Sequence, residues 1–168
     1  NESDIFFGTN AVAYQEFKVF LDSVTPYAKS KYFNLHGEDL KVGTTLTLDG
    51  LTDPSTANLC KTLNTGRDII STTYYPLNPD FTMQNPSVVV DDFQDIVTEY
   101  PDPSVPIYFA ECGYASSPSC NSSEAQQADF YTQVFEAWDM FNDNIKWITI
   151  FKTNDWSQVE VDNLGTYY

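Results

Sequence analysis

The sequence predicts an α/β fold built on a parallel sheet, and two observations support this prediction. Runs of β-type residues alternate along the chain with segments of helical length, which is the pattern of right-handed βαβ units. The run Val105–Ala110 is almost continuously apolar, as expected for a strand that is buried on both faces. We therefore expect one domain in which helices connect parallel strands.

The first half of the chain should contain two helices and a strand. Apolar residues at helical spacing predict an amphipathic helix from Ala11 to about Ala28, with Pro26 near its end. A Thr-rich strand is expected from Lys41 to Leu48. A second helix should begin at Asp53-Pro54-Ser55 and end at Gly66. The inward face of the first helix is predicted to consist of Val12, Phe17, Val19, Phe20, Leu21 and Val24.

The second half repeats the same alternation. A strand is expected over Asp68–Tyr75 because a proline and a polar turn follow it. A helix over Pro86–Glu99 then leads to the apolar strand that ends at Glu111. A helix from Ser122 to about Phe141 and a strand over Ile145–Phe151 complete the pattern.

Composition narrows the classes of function. The chain has 168 residues, a formal net charge of -16 and a pI near 4.1, so nucleic acids and anionic membranes are poor partners. No apolar run approaches the roughly 18 residues of a transmembrane helix. The many aromatic residues (Tyr 11, Phe 12, Trp 3) together with the acidic side chains suit a neutral, polyhydroxylated ligand such as a sugar.

The cysteines do not have the spacing of a metal site. No CxxC pair occurs among Cys60, Cys112 and Cys120, so we expect neither a metal nor another cofactor. Cys112 and Cys120 bracket one loop and could form a disulfide, while Cys60 is expected to be buried in a helix. The glycosylation sequon Asn121-Ser122-Ser123 follows directly. Both features favour a secreted protein; two free thiols and an unused sequon are the alternative.

Glu111 is the main candidate for a catalytic residue. An apolar strand delivers this carboxylate onto a loop that contains Gly113 and two serines. The carboxyl end of a parallel strand is where α/β folds place their chemistry. The alternative is a surface glutamate that caps the next turn.

Three segments together resemble the clan A glycoside hydrolases. In that (β/α)8 superfamily an Asn-Glu pair closes the fourth strand and a second Glu closes the seventh, and Asn1-Glu2 and Glu111 occur here in the same order. The Tyr74-Tyr75-Pro76 segment is similar to the sixth strand of galactanase-like members. The loop Glu111–Ser117 is similar to the nucleophile loop Glu-x-Gly-Tyr/Trp-Pro-Ser, with Ala115 in place of the proline.

The resemblance implies a fold and a mechanism. Residues 1–168 would be the C-terminal half of a partial TIM barrel, with strands five to eight and the end of strand four. Glu2 would be the general acid/base and Glu111 the nucleophile of a retaining hydrolase that forms a covalent glycosyl-enzyme intermediate. Further site residues implied are Asn1, as donor to the sugar 2-hydroxyl, Tyr75 or less readily Tyr74 beside the nucleophile, Tyr114, and Trp156 as a sugar platform.

Alternation along the strand places Thr73 and Tyr75 on one face and Tyr74 on the other, so only one tyrosine can fully support the nucleophile. The favoured interpretation is a secreted glycosidase that cleaves a polysaccharide or oligosaccharide. One alternative is a carbohydrate-binding or pseudoenzyme half-barrel without activity; another is a doubly wound ligand-binding domain with Glu111 at its switch point. As a half-barrel with open sheet edges, the isolated chain is expected to be inactive and to associate with itself or pack loosely.

Overall fold

The computed structural model describes residues 2–6 and 10–151 and has a mixed α/β architecture. The strands are β1 (Thr45–Thr47), β2 (Ile70–Tyr74), β3 (Ile107–Cys112) and β4 (Ile145–Ile150). The α-helices are α1 (Ala11–His36), α2 (Leu48–Thr52), α3 (Ala57–Asn64), α4 (Val89–Glu99) and α5 (Glu124–Met140). Short 3-10 helices span Ser3–Phe6, Pro86–Val88 and Pro118–Cys120.

The four strands form one parallel sheet in the order of the chain, β1-β2-β3-β4. Helices α2 and α3 connect the first two strands, and α4 and α5 form the next two connections. The predicted α/β class with a parallel sheet is therefore confirmed. Because all strands run in one direction, their carboxyl ends meet at one edge of the sheet.

The hydrophobic core lies between the sheet and its covering helices. Phe109 of β3 is completely buried, and its ring centroid lies 4.6 Å from that of Phe93 in α4. Phe130 of α5 packs 5.9 Å from the ring of Tyr74 in β2. Burying each such side chain contributes about 1.5–3 kcal/mol, so this aromatic layer fixes the ends of β2 and β3 against the helices.

A bulge interrupts the pairing of β2 with β3 close to the carboxyl end. Thr72 pairs with Phe109 and Thr73 pairs with Glu111, which leaves Ala110 as an extra residue. Regular alternation would place Glu111 on the same face as Phe109, in the core. With the bulge, Glu111 instead turns to the opposite face and stays half-buried.

Helix α1 is longer than the sequence predicts. It continues past Ala28 to His36, so Pro26 lies inside the helix rather than near its end. Pro26 is exposed, where water can hydrate the carbonyl that loses its partner. The helix ends at Gly37, which has φ +71° and donates its N–H to the Phe33 carbonyl at 2.8 Å.

The face of α1 that was expected to pack inward is only partly buried. Phe17 and Leu21 pack against the core, whereas Val12, Val19 and Phe20 are exposed. This expectation is therefore wrong for three of the apolar positions.

Polar contacts anchor α1 instead. The buried Arg67 guanidinium donates to Asp22 at 2.8 Å and to Thr25 at 3.2 Å. Lys29 pairs with Asp68 at 2.7 Å.

Strand β1 is shorter than predicted at both ends, and a short helix begins directly after it. The Thr47 hydroxyl accepts a hydrogen bond from Gly50 N at 2.9 Å and thereby caps the N-terminus of α2. Leu48, expected to be the last strand residue, is the first residue of that helix. Sequence periodicity cannot indicate a helix of this length.

All three cysteines are free thiols, so the expected Cys112–Cys120 disulfide is not present in the structure. Cys112 lies in the core with no exposed surface, and burial raises the pKa of its thiol to about 12. Cys120 lies in the 3-10 helix of the following loop. Cys60 is completely buried in α3, as predicted.

Candidate active site

A cavity of about 700 Å³ opens where β1, β2 and β3 end. Its volume is typical of small-molecule sites. Its carboxylates come from different parts of the chain, since Glu2 precedes α1 and Glu111 ends the apolar strand. The lining consists of Glu2, Asp4, Ile5, Thr47, Leu48, Asp49, Gly50, Asp53, Ser55, Thr56, Thr73, Tyr74, Tyr75, Leu77, Phe81 and Glu111.

Glu2 lies beside the free edge of β1. Its backbone N–H donates to the Thr45 carbonyl at 3.2 Å. Its side chain accepts a hydrogen bond on Oε1 from the Thr73 hydroxyl at 2.7 Å. Glu2 has φ +53°, an uncommon conformation for a residue other than glycine. Such backbone conformations persist where the surrounding structure holds them, and they cluster at functional sites.

Asp4 holds the segment that carries Glu2. Asp4 is 4% exposed, and its carboxylate accepts hydrogen bonds from the backbone N–H of Thr47 at 3.0 Å and from the Thr47 hydroxyl. A Cβ at Gly50 would lie 2.1 Å from Asp4 Oδ2, so the close approach of this carboxylate requires a glycine. These contacts fix the segment before α1 to the end of β1.

Glu111 is held by Tyr75. The phenol of Tyr75 donates to Glu111 Oε2 at 2.7 Å. Burial, the hydrogen bond to Glu111 and the charges of Glu111 and Glu2 all raise the pKa of Tyr75. The phenol therefore stays protonated and acts as a hydrogen-bond donor to the carboxylate. Both carboxylates lie within electrostatic reach of this one hydroxyl group.

Tyr74 does not fit the expectation of a substrate contact. It is only 2% exposed, although the residue contributes to the cavity wall. Its hydroxyl donates to Asp92 at 2.6 Å, and its ring packs among Phe93, Phe109 and Phe130. The side chain faces the helices because it alternates with Tyr75, so it supports the cavity from behind.

Tyr114 also differs from its expected role. It is 3% exposed, its ring stacks on Phe130 at a centroid distance of 4.8 Å, and its hydroxyl donates to the Gln84 carbonyl at 2.6 Å. Tyr114 is thus a core residue that anchors the loop after β3. Asn1 and Trp156, the other two expected substrate contacts, lie outside the described residues.

Several cavity residues were missed by the sequence analysis. Asp49 and Asp53 come from the β1-α3 connection, and burial together with the charges of Asp53 and Asp4 raises the pKa of Asp49. Phe81 comes from the loop after β2. The sequence signal for Phe81 is the turn Asn78-Pro79-Asp80, which directly precedes this aromatic residue.

The cavity disfavours an anionic ligand. No Lys, Arg or His from residues 2–6 and 10–151 lines it, so a phosphate or carboxylate ligand would have no cationic partner. Within those residues, no group of three His, Cys, Asp or Glu side chains could hold a metal ion. Likewise, none of the helices described there is long and apolar enough to span a membrane.

The chain matches no family model, no curated protein and no solved structure.

Proposed function

We propose that the protein is a retaining glycoside hydrolase that cleaves a neutral polysaccharide or oligosaccharide. The observation that carries the proposal is the pairing of two carboxylates with two different hydroxyl groups in one cavity. Glu111 accepts from the Tyr75 phenol and Glu2 accepts from the Thr73 hydroxyl, each at 2.7 Å. Retaining hydrolysis uses two carboxylates with separate roles.

The two hydroxyl partners suit these roles. A nucleophile must stay ionised, and a phenol whose pKa is raised supplies Glu111 with a permanent donor. A general acid/base must alternate between protonated and ionised forms. The Thr73 hydroxyl can donate to ionised Glu2 or accept from protonated Glu2, because a hydroxyl carries both a proton and lone pairs. Glu111 is therefore assigned as the nucleophile and Glu2 as the acid/base.

The proposed reaction has two steps. In the first, Glu111 forms a bond to the anomeric carbon while the bond to the leaving oxygen breaks and Glu2 gives that oxygen its proton. In the second, Glu2 takes a proton from water, which attacks the anomeric carbon and releases Glu111. Product and substrate have the same anomeric configuration because the carbon is inverted twice.

The strand order supports a barrel interpretation of the fold. In strands five to eight of a (β/α)8 barrel, each strand pairs with the next one in the chain, as β1 to β4 do here. A doubly wound sheet would need a reversal of strand order at the site. We therefore propose that the described sheet corresponds to the second half of a barrel, with Glu2 at the end of strand four.

A secreted location is part of the proposal. Asn121 of the sequon is exposed, so a glycan attached there would extend into solvent. A polysaccharide substrate is also too large to enter a cell, which is consistent with an extracellular enzyme.

The test is covalent trapping in the natural full-length protein. A panel of 2-deoxy-2-fluoro glycosyl fluorides (gluco, galacto, manno and xylo) should inactivate the wild type with release of fluoride. Mass spectrometry should then find the fluorosugar on the peptide that contains Glu111. Glu111→Gln should not be labelled, and it should lose nearly all release of reducing ends from glucan, galactan, mannan and xylan.

Glu136→Gln is the matched control, because Glu136 is an exposed residue of α5. It should be labelled and should turn over like the wild type. Binding of these polysaccharides without labelling or turnover would instead favour the non-enzymatic carbohydrate-binding alternative. Label on a residue other than Glu111 would overturn the assignment of the nucleophile.

A further inference from the structure

Phe81 is an aromatic residue in an unfavourable position. It is 75% exposed at the wall of the acidic cavity, so its ring gains little from burial. Its φ is +63°, in the left-handed region where a bulky side chain is strained and glycine or asparagine is preferred. Folding alone would favour a different residue at this position.

The loop around Phe81 is nevertheless well ordered by hydrogen bonds. The backbone N–H of Phe81 donates to the Asn78 carbonyl at 2.9 Å, and Asn78 N donates to the Thr82 carbonyl at 2.8 Å. Asp80 Oδ1 accepts from both the N–H and the hydroxyl of Thr82, at 3.1 and 2.7 Å. The antiparallel bridge between residues 77 and 83 closes the base of the loop. The turn therefore presents the aromatic ring at a defined place.

We infer that Phe81 is a stacking platform for a pyranose ring of the substrate. This inference rests on the proposed function, because a sugar is the ligand for which such a pairing is suitable. A pyranose has an apolar face of C–H groups that packs on an aromatic ring, while its hydroxyls point sideways. The carboxylates and hydroxyls of the cavity wall supply acceptors for those hydroxyls.

The charge of the cavity supports a neutral sugar over anionic ligands. Among the described residues the lining has acidic but no basic side chains. Nucleotides and uronic acids would bring negative charge next to Glu2 and Glu111 and would be repelled. An uncharged pyranose meets no such penalty.

The experiment compares four substitutions at position 81 in the natural full-length protein. Phe81→Ala and Phe81→Leu should raise KM about 10-fold with kcat changed less than about 3-fold, whereas Phe81→Tyr should stay close to the wild type. The probes are cellopentaose, laminaripentaose, β-1,4-galactopentaose and xylopentaose, and the one that the wild type cleaves fastest is used. Leucine keeps the apolar bulk of phenylalanine but has no flat face. If Phe81 had only a structural role, Phe81→Leu would therefore keep the wild-type KM.

The fourth substitution tests the strain. Phe81→Gly should raise KM as much as Phe81→Ala does. Its unfolding temperature should equal or exceed that of Phe81→Ala, because glycine adopts positive φ freely. Phe33→Ala is the control, since Phe33 is an exposed aromatic of α1; it should leave KM unchanged. Unchanged KM for both Phe81→Ala and Phe81→Leu would overturn the platform.

The outcomes separate this inference from the proposed function. Binding is also measured by calorimetry with Glu111→Gln, which should still bind the probe. If a probe binds without being cleaved by the wild type, the proposed hydrolase is wrong, and weaker binding by Phe81→Ala still supports the platform. If the probe is cleaved and the Phe81 variants keep the wild-type KM, only the platform is wrong. If no probe binds, both are wrong.

Discussion

Gly113 connects the packing at the end of β3 with the orientation of the proposed nucleophile. A Cβ at this position would lie 2.1 Å from the Phe151 carbonyl oxygen and 2.6 Å from Cε1 of Tyr75. Both distances are about 1 Å shorter than ordinary van der Waals contact. Neither neighbour can move freely, because Phe151 N donates to the Cys112 carbonyl at 2.9 Å and the Tyr75 phenol is bonded to Glu111.

Gly113→Ala should therefore displace the Tyr75 ring by about 1 Å and break its hydrogen bond to Glu111. Overpacking of this size costs about 1–3 kcal/mol of stability. A misplacement of about 1 Å in a catalytic group lowers turnover roughly 100-fold. The free energy of unfolding is measured with urea, and kcat with the oligosaccharide that the wild type cleaves fastest.

Gly66→Ala is the matched control for the stability effect. Gly66 has φ +74°, and a Cβ there would meet no atom within 4 Å, so alanine adds backbone strain of about 1 kcal/mol without a clash. Gly66→Ala should lose stability and keep full turnover. If Gly113→Ala keeps both wild-type stability and wild-type kcat, the packing argument is refuted.

Two further predictions concern the Thr73 hydroxyl and the two buried thiols. Thr73→Val should lower kcat/KM about 10-fold more for a phenyl glycoside than for a 2,4-dinitrophenyl glycoside, because a good leaving group needs no proton from Glu2. Thr73→Ser should restore the wild-type ratio of kcat/KM for the two glycosides. An equal loss of kcat/KM for both glycosides in Thr73→Val would contradict the role of Thr73. Burial raises the thiol pKa of Cys60 and Cys112 to about 12, so iodoacetamide at pH 8 should leave both unmodified in the folded protein. Mass spectrometry that finds either one alkylated before unfolding would contradict this burial.

The order of elements could be predicted from the sequence because each long element has its own periodicity. The apolar run before Glu111 predicts β3, and the helical spacing before Glu99 predicts α4; the structure has both. The length of α1 could not be predicted, because the exposed Pro26 is tolerated inside the helix. The acidic wall around Asp49 was also beyond prediction, since it depends on a helix of five residues that begins at Leu48.

The bulge at Ala110 explains why Glu111 lines the cavity whereas Tyr114, another expected site residue, lies in the core. In a regular strand, Ala110, Cys112 and Tyr114 would share one face, and Glu111 would face the helices with Phe109. The extra residue in the pairing with β2 reverses this alternation.

Because of that reversal, Glu111 turns into the cavity while Cys112 and Tyr114 turn into the core. The same one-residue shift therefore brings Glu111 to Tyr75 and stacks Tyr114 on Phe130 instead of exposing it to a ligand. No residue type marks a bulge of this kind, since its position depends on how the neighbouring strands pair.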